Sequence, residues 1–228
     1  MKDAVMEQAF QEQPGRWHGW LVAGLLVLAL GLRAGALDKS FGGDETARLH
    51  GAQLPLSALF EYLPTEETHP PLIYILLHGW LKVRSGEVWI RLFFVGFGMA
   101  LCGLAYGVGR SVGGAKVGML TLALVAVAPG LVWASQYVGP YGPAFTFLTL
   151  ALLSAVKLVE DARSMRWWIA YALAAVAGLY SFYMSALVLA TLGVGLLLVR
   201  EVRLARWRTW LAVHVGITMA FLPGLWLI

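Results

Sequence analysis

Hydrophobic residues run in long blocks broken by short polar clusters, at about 17–37, 71–83, 88–109, 117–135, 141–158, 167–199 and 209–228. A helix needs about 20 apolar residues to cross a bilayer, whereas a block of about 10–14 suits an interfacial or re-entrant segment. "PPLIYILLHGWLKVR" falls in the short class, with His78 inside it and Lys82 and Arg84 at its end. The 33-residue block 167–199 has room for two short spans that turn near "GLYSFYMS".

The polar clusters arbitrate topology. If the short block does not cross, Arg110, Lys116, Lys157, Arg163, Arg166, Arg200, Arg203, Arg206 and Arg208 all fall on the side of the N-terminus, while the opposite loops, 137–140 and about 181–185, carry no charge. If it crosses, those basic residues lie outside, against the positive-inside bias. The pattern predicts an all-α, polytopic membrane bundle of about seven spans, one transmembrane domain over 1–228. Its N-terminus is cytoplasmic and its location is the cytoplasmic (inner) membrane. The first span follows a charged start and ends in Ala34-Gly35-Ala36, which mimics a signal-peptidase site; it reads as an uncleaved signal anchor. Residues 38–87 then form an extracytoplasmic loop rich in acids (Asp38, Asp44, Glu45, Glu61, Glu66, Glu67 and Glu87). Pro55 and "YLPTEETHPP" divide it into two or three interfacial helices.

Composition agrees. Of 228 residues, 59% are hydrophobic and 13% charged, with mean hydropathy +0.71, against about a quarter charged in a soluble domain. The net charge of +4 does not indicate nucleic acid, because the basic residues form no patch with interleaved aromatics. Cys102 is the single cysteine, so no disulfide framework exists, and no Cys/His cluster suggests a transition metal. A transporter is disfavoured, since the spans hold few ionisable residues and show no inverted repeat.

Chemistry concentrates in "SFGGDETARLH", where Asp44 and Glu45 follow the first span. Asp44 can be a helix N-cap, with Glu45 favouring the N-terminal dipole, or it can take a proton from a substrate. Arg48, four residues on, suits either a surface ion pair or a phosphate contact. His69 precedes two prolines, with Pro71 fit for a first helical turn. Lys82 and Arg84 suit headgroup anchoring, with Arg84 also a phosphate candidate. Arg33 and Arg91 are expected to snorkel at the outer ends of spans one and two. His214 is expected to bond a neighbouring helix, and Gly103 and Gly107 to form a helix-packing face.

The acidic pair after the first span resembles the first-loop motif of polytopic glycosyltransferases of the C superfamily (GT-C), which use polyprenyl-phosphate sugars and include protein mannosyltransferases and lipid A aminoarabinose transferases. "THPPLIYILLHGWLKVRSGEVWIRLFF" resembles their interfacial helix and the start of the second span. "GRSVGGAKVGMLTLALVAVAPGLVWASQYVGPYG" resembles the next two loops and third span, and "GLYSFYMSALVLA" the following hairpin. The resemblance implies inverting sugar transfer from a lipid-linked donor to an acceptor hydroxyl, with Asp44 as general base and Glu45 orienting or charging the site. It also implies substrate contacts from Arg48, His69, Arg84, Gln136, Tyr137 and Tyr141. Membrane lipids are partners, nucleic acid is not, and no metal ligand is assigned; a divalent cation is the cofactor left open.

The sequence departs from that pattern twice. Tyr137 stands where relatives carry a second acid, and Gly139 where they often carry an arginine. Relatives also continue through further spans, whereas this sequence stops in "FLPGLWLI". Either the C-terminal half of a truncated enzyme is not included, or this is a shortened relative; the alternative expectation is a non-catalytic GT-C-derived subunit packed with other subunits of a larger membrane complex.

Overall fold

The computed structural model describes residues 15–35, 37–66 and 69–225. The charged start before Gly15, Ala36 of the signal-peptidase-like tripeptide, Glu67, Thr68 and the last three residues lie outside them. Among the described residues all regular structure is helical, as expected. The order is α1 (His18–Ala34), α2 (Gly43–Gln53), α3 (Leu56–Glu66), α4 (Leu72–Leu81), α5 (Glu87–Val127), α6 (Pro129–Gln136), α7 (Tyr141–Glu160), α8 (Met165–Ser181), α9 (Ser185–Leu198), α10 (Arg200–Ala205) and α11 (Trp207–Leu225).

Local sequence sets the breaks. Pro55 holds Leu54 in an extended conformation (φ −64°, ψ 151°), which separates α2 from α3. The apolar blocks 88–109 and 117–135 are joined by a reversal inside α5 at Gly113-Gly114, where Gly114 takes φ 76°, a conformation that costs a residue with a Cβ. The returning limb then bends at Ala128 into α6, because Pro129 has no N–H to donate back to Val125. The block 167–199 splits into α8 and α9 across Phe182–Met184.

Of these helices, α5 and α7 are long and apolar enough to cross a membrane. Around the bundle the outward faces stay apolar: Leu173 is 67% exposed, Leu187 69% and Leu198 71%. Side chains of that kind all round a bundle require a lipid solvent. Inside, Leu158, Trp168, Tyr171, Leu189 and Val202 pack α7, α8, α9 and α10 together. Leu59, Leu63, Tyr74, Leu77, Phe94 and Val138 seat α3 and α4 on the head of α5 and the 137–140 loop. Ala29, Cys102, Leu122 and Ala126 join α1 to both limbs of α5.

Arg33 does not snorkel. It is fully buried, and its guanidinium donates to the carbonyls of Val125 (3.0 Å) and Ala126 (3.0 Å) and to Ser135 Oγ (3.2 Å). Val125 is the residue whose helical partner Pro129 deletes. Arg33 thus satisfies the backbone at the break, the compensation that a proline within an apolar environment needs. Ser135 packs directly on Gly98, where any side chain would exclude it.

Candidate functional site

The start of α2, the 136–141 loop and the turn after α8 meet at one end of the bundle. α2 is capped by Glu45, not by Asp44. Gly42 is the N-cap and Glu45 occupies the third helical position, where its Oε2 accepts from the Gly42 N–H at 3.0 Å. Asp44, at the second position, is left exposed to solvent. Glu45 faces inward and is buried.

Arg91, expected at the interface, is instead 4% exposed and pairs with Glu45 at 2.8 Å. Its Nη1 also donates to the Gln136 carbonyl (3.0 Å) and its Nη2 to that of Lys39 (2.9 Å). The Val138 N–H donates to Glu45 Oε1 at 2.9 Å. One ion pair therefore clamps the 39–42 segment, α2, α5 and the 136–138 loop. Burial pushes the Glu45 carboxyl up, but hydrogen bonds from Arg91, Val138 and Gly42 outweigh it and hold the group below its ordinary value.

Beside this clamp lies a polar chain open to solvent. Arg48 Nη1 donates to Tyr137 Oη at 2.7 Å and to the Val138 carbonyl at 3.3 Å. The Tyr137 hydroxyl in turn donates to Asp44 Oδ2 at 3.4 Å. Arg48 Nη2 stands 3.3 Å from His69 Nε2; arginine can only donate, so Nε2 accepts. Arg48 also lies over the Tyr137 ring, 5.3 Å from its centroid. Trp133, Tyr137 and Tyr141 form a cluster, their centroids 4.6 Å (Trp133–Tyr137), 5.7 Å (Trp133–Tyr141) and 5.9 Å (Tyr137–Tyr141) apart. Phe182 adjoins it, 5.5 Å from Tyr141 and 6.1 Å from His69.

Asp44, Arg48, His69, Tyr137 and Tyr141 thus come together. Gln136 does not face them: its amide nitrogen donates to the carbonyls of Leu32 (3.0 Å), Arg33 (3.2 Å) and Gly35 (2.6 Å), closing the C-terminus of α1. Arg84 lines a separate recess with Asp38 and Glu87. Sequence reasoning missed Phe182, whose only signal was an aromatic in the uncharged turn between α8 and α9, and Arg91, whose partner lies 46 positions earlier. Gly139 has no space for an arginine, since a Cβ there would lie 2.6 Å from the Tyr137 ring and 3.6 Å from Arg48 Nη1.

Among the described residues no three His, Cys, Asp or Glu side chains converge as metal ligands. Among the described residues Glu45 is committed to Arg91, which leaves Asp44 as the free carboxylate of the chain of contacts. This donor set does not fit a resident divalent cation.

An apolar helical bundle with a polar cluster at one end defines a membrane protein. The sequence model of the dolichyl-phosphate-mannose-protein mannosyltransferase family matches residues 68–226, more than half of the chain. The protein belongs to this family of GT-C type, which supports a membrane glycosyltransferase-like function in general. No curated protein sequence matches it. The matched region contains His69, Arg91, Tyr137, Tyr141 and Phe182, while α2, with Asp44 and Arg48, precedes it.

Proposed function

We propose that the protein transfers a sugar from a polyprenyl-phosphate donor to an acceptor hydroxyl at the extracytoplasmic surface, with Asp44 as general base. The observation that carries this reading is the exposed Asp44 carboxylate joined through Tyr137 to a buried Arg48 that also meets His69. Asp44 Oδ removes the acceptor's proton as its oxygen attacks the anomeric carbon. The bond from that carbon to the phosphate oxygen breaks on the opposite face, so the configuration inverts and polyprenyl phosphate departs. Arg48 and His69 meet the charge that grows on the leaving phosphate. Glu45 holds the site's geometry rather than sharing the proton. In this reading α1, the two limbs of α5 (the second extended by α6), α7, α8, α9 and α11 cross the membrane. Asp44, the 137–140 loop and Phe182 face outward, and the basic clusters at 110–116, 157–166 and 200–208 lie in the cytoplasm, as the positive-inside bias favours.

Reconstitution with polyprenyl-phosphate sugars and an acceptor, comparing the natural protein with Asp44→Asn, tests this directly. Transfer by the natural protein and its loss in a folded variant are expected; undiminished transfer by the variant removes Asp44 from the role. One observation favours a second reading, a non-catalytic subunit of a membrane complex: Tyr137 and Arg91-bound Glu45 leave a single free carboxylate here among the described residues. Under that reading the natural protein transfers nothing with any donor and co-purifies with larger membrane partners.

A further inference from the structure

On the flank of the bundle away from Arg91, an apolar groove of about 680 Å³ runs between the first limb of α5 and α7. Phe93, Phe97, Leu104, Phe147 and Leu150 form its walls, and Gly96 and Gly103 its floor. Gly103 therefore does not complete a packing face with Gly107: a Cβ on Gly96 or Gly103 meets nothing within 4 Å, whereas one on Gly107 would press on Leu153 of α7. Along α5 the groove extends from Leu92 to Leu104, about 18 Å at 1.5 Å per residue. That is close to the depth of one leaflet, about 15 Å, and short of the full hydrocarbon core of about 30 Å.

A second recess, of about 350 Å³, adjoins the mouth, and Leu92 lines both. Between them stand Trp80 and Trp89, stacked with centroids 4.4 Å apart, the Trp80 indole N–H bonded to the Trp89 carbonyl at 2.9 Å. Such a pair marks the level of the headgroups. The recess presents one cation, Arg84, together with Ser85 and two carboxylates, Asp38 and Glu87. The lining thus offers charges of both signs. A headgroup carrying both a phosphate and an ammonium is complemented on both counts.

We propose that this flank holds one molecule of phosphatidylethanolamine, with an acyl chain in the groove. Its phosphate lies against Arg84 and Ser85, and its ammonium against Asp38 and Glu87. The site is independent of the chemistry assigned to Asp44. It is a place where a zwitterionic phospholipid becomes part of the fold, bracing α4 and α5 beneath the outer helices.

The test is native mass spectrometry of the full chain extracted in mild detergent and exchanged into mixed phosphatidylethanolamine and phosphatidylglycerol. One phosphatidylethanolamine per chain is expected to survive, with phosphatidylglycerol retained at least 10-fold less. Gly96→Leu with Gly103→Leu puts side chains into the groove from positions where a Cβ meets nothing within 4 Å, and is expected to cut retention at least 10-fold in a chain that still folds, as judged by its helical circular-dichroism spectrum and single gel-filtration peak. Asp38→Asn with Glu87→Gln, a surface change that spares the groove, is expected to erase the preference between the two lipids. Equal retention of phosphatidylglycerol by the natural protein, a polyprenyl lipid or a second copy of the chain in place of the phospholipid, or full retention by the leucine variant would each overturn the proposal.

Discussion

Replacing Glu45 by alanine strips the buried Arg91 of its counter-ion and frees two backbone N–H groups, those of Gly42 and Val138. Removing one partner of a buried ion pair costs about 3–5 kcal/mol, because the remaining charge stays desolvated. At roughly 2–4 °C per kcal/mol for a chain of this size, the unfolding midpoint should fall by about 6–20 °C. The assay is tryptophan fluorescence during thermal unfolding in detergent micelles, read for Glu45→Ala, Arg91→Met and the double variant. Arg91→Met also bares the carbonyls of Gln136 and Lys39, so it is expected to be at least as damaging. The double variant should lose less than the sum by about 1–3 kcal/mol, the coupling that contacting residues show. A loss below about 1 kcal/mol in Glu45→Ala, or strict additivity, would refute the clamp.

The remaining predictions concern pH, the α6 break and topology. Glu45 titrates below its ordinary 4.5 in the folded state, so the stabilisation is fully present above about pH 4.5 and fades as the pH falls through the depressed value; the acid limb of an unfolding-versus-pH curve should flatten in Glu45→Ala. Arg33→Ala should cost about 1–3 kcal/mol for each bared carbonyl of Val125 and Ala126, and adding Pro129→Ala should restore part of it by returning an N–H to Val125; no recovery of the midpoint would count against the role given to Arg33. Cysteines introduced at Thr65 and Ser164 should label with a membrane-impermeant maleimide only from outside and only from inside, respectively, with Cys102 buried and silent; labelling of both from one side would break the seven-span topology.

Much of the helical layout was legible because it depends on local chemistry. Pro55 and Gly113-Gly114 mark breaks through their backbone preferences, the uncharged "SFYM" turn through the length of the apolar block it divides, and the short block before Lys82 is too brief for a span. The direction in which a charged side chain points was not legible. Arg33 and Arg91 sit at span ends where snorkelling into water is the ordinary expectation, yet each turns inward to a partner far away in sequence: Arg33 to Ala126, 93 positions away, and Arg91 to Glu45, 46 positions away. The same blindness applied to the acidic pair. Adjacent residues on a helix point about 100° apart, so Asp44 and Glu45 need not share a role. The capping geometry at Gly42 selected Glu45 to face inward. For Gln136 the neighbouring C-terminus of α1 decided its orientation, which composition does not encode.

The central claim is that Asp44 takes the acceptor's proton. The most direct measurement is initial-rate sugar transfer by Asp44→Asn beside the natural protein, in liposomes carrying a polyprenyl-phosphate sugar, with both proteins verified folded by their unfolding midpoints. Loss of general-base assistance should lower the rate about 10²–10⁴-fold with little change in midpoint, because Asp44 is exposed and contributes one 3.4 Å hydrogen bond to the fold. A variant that transfers sugar at the natural rate would contradict the claim outright.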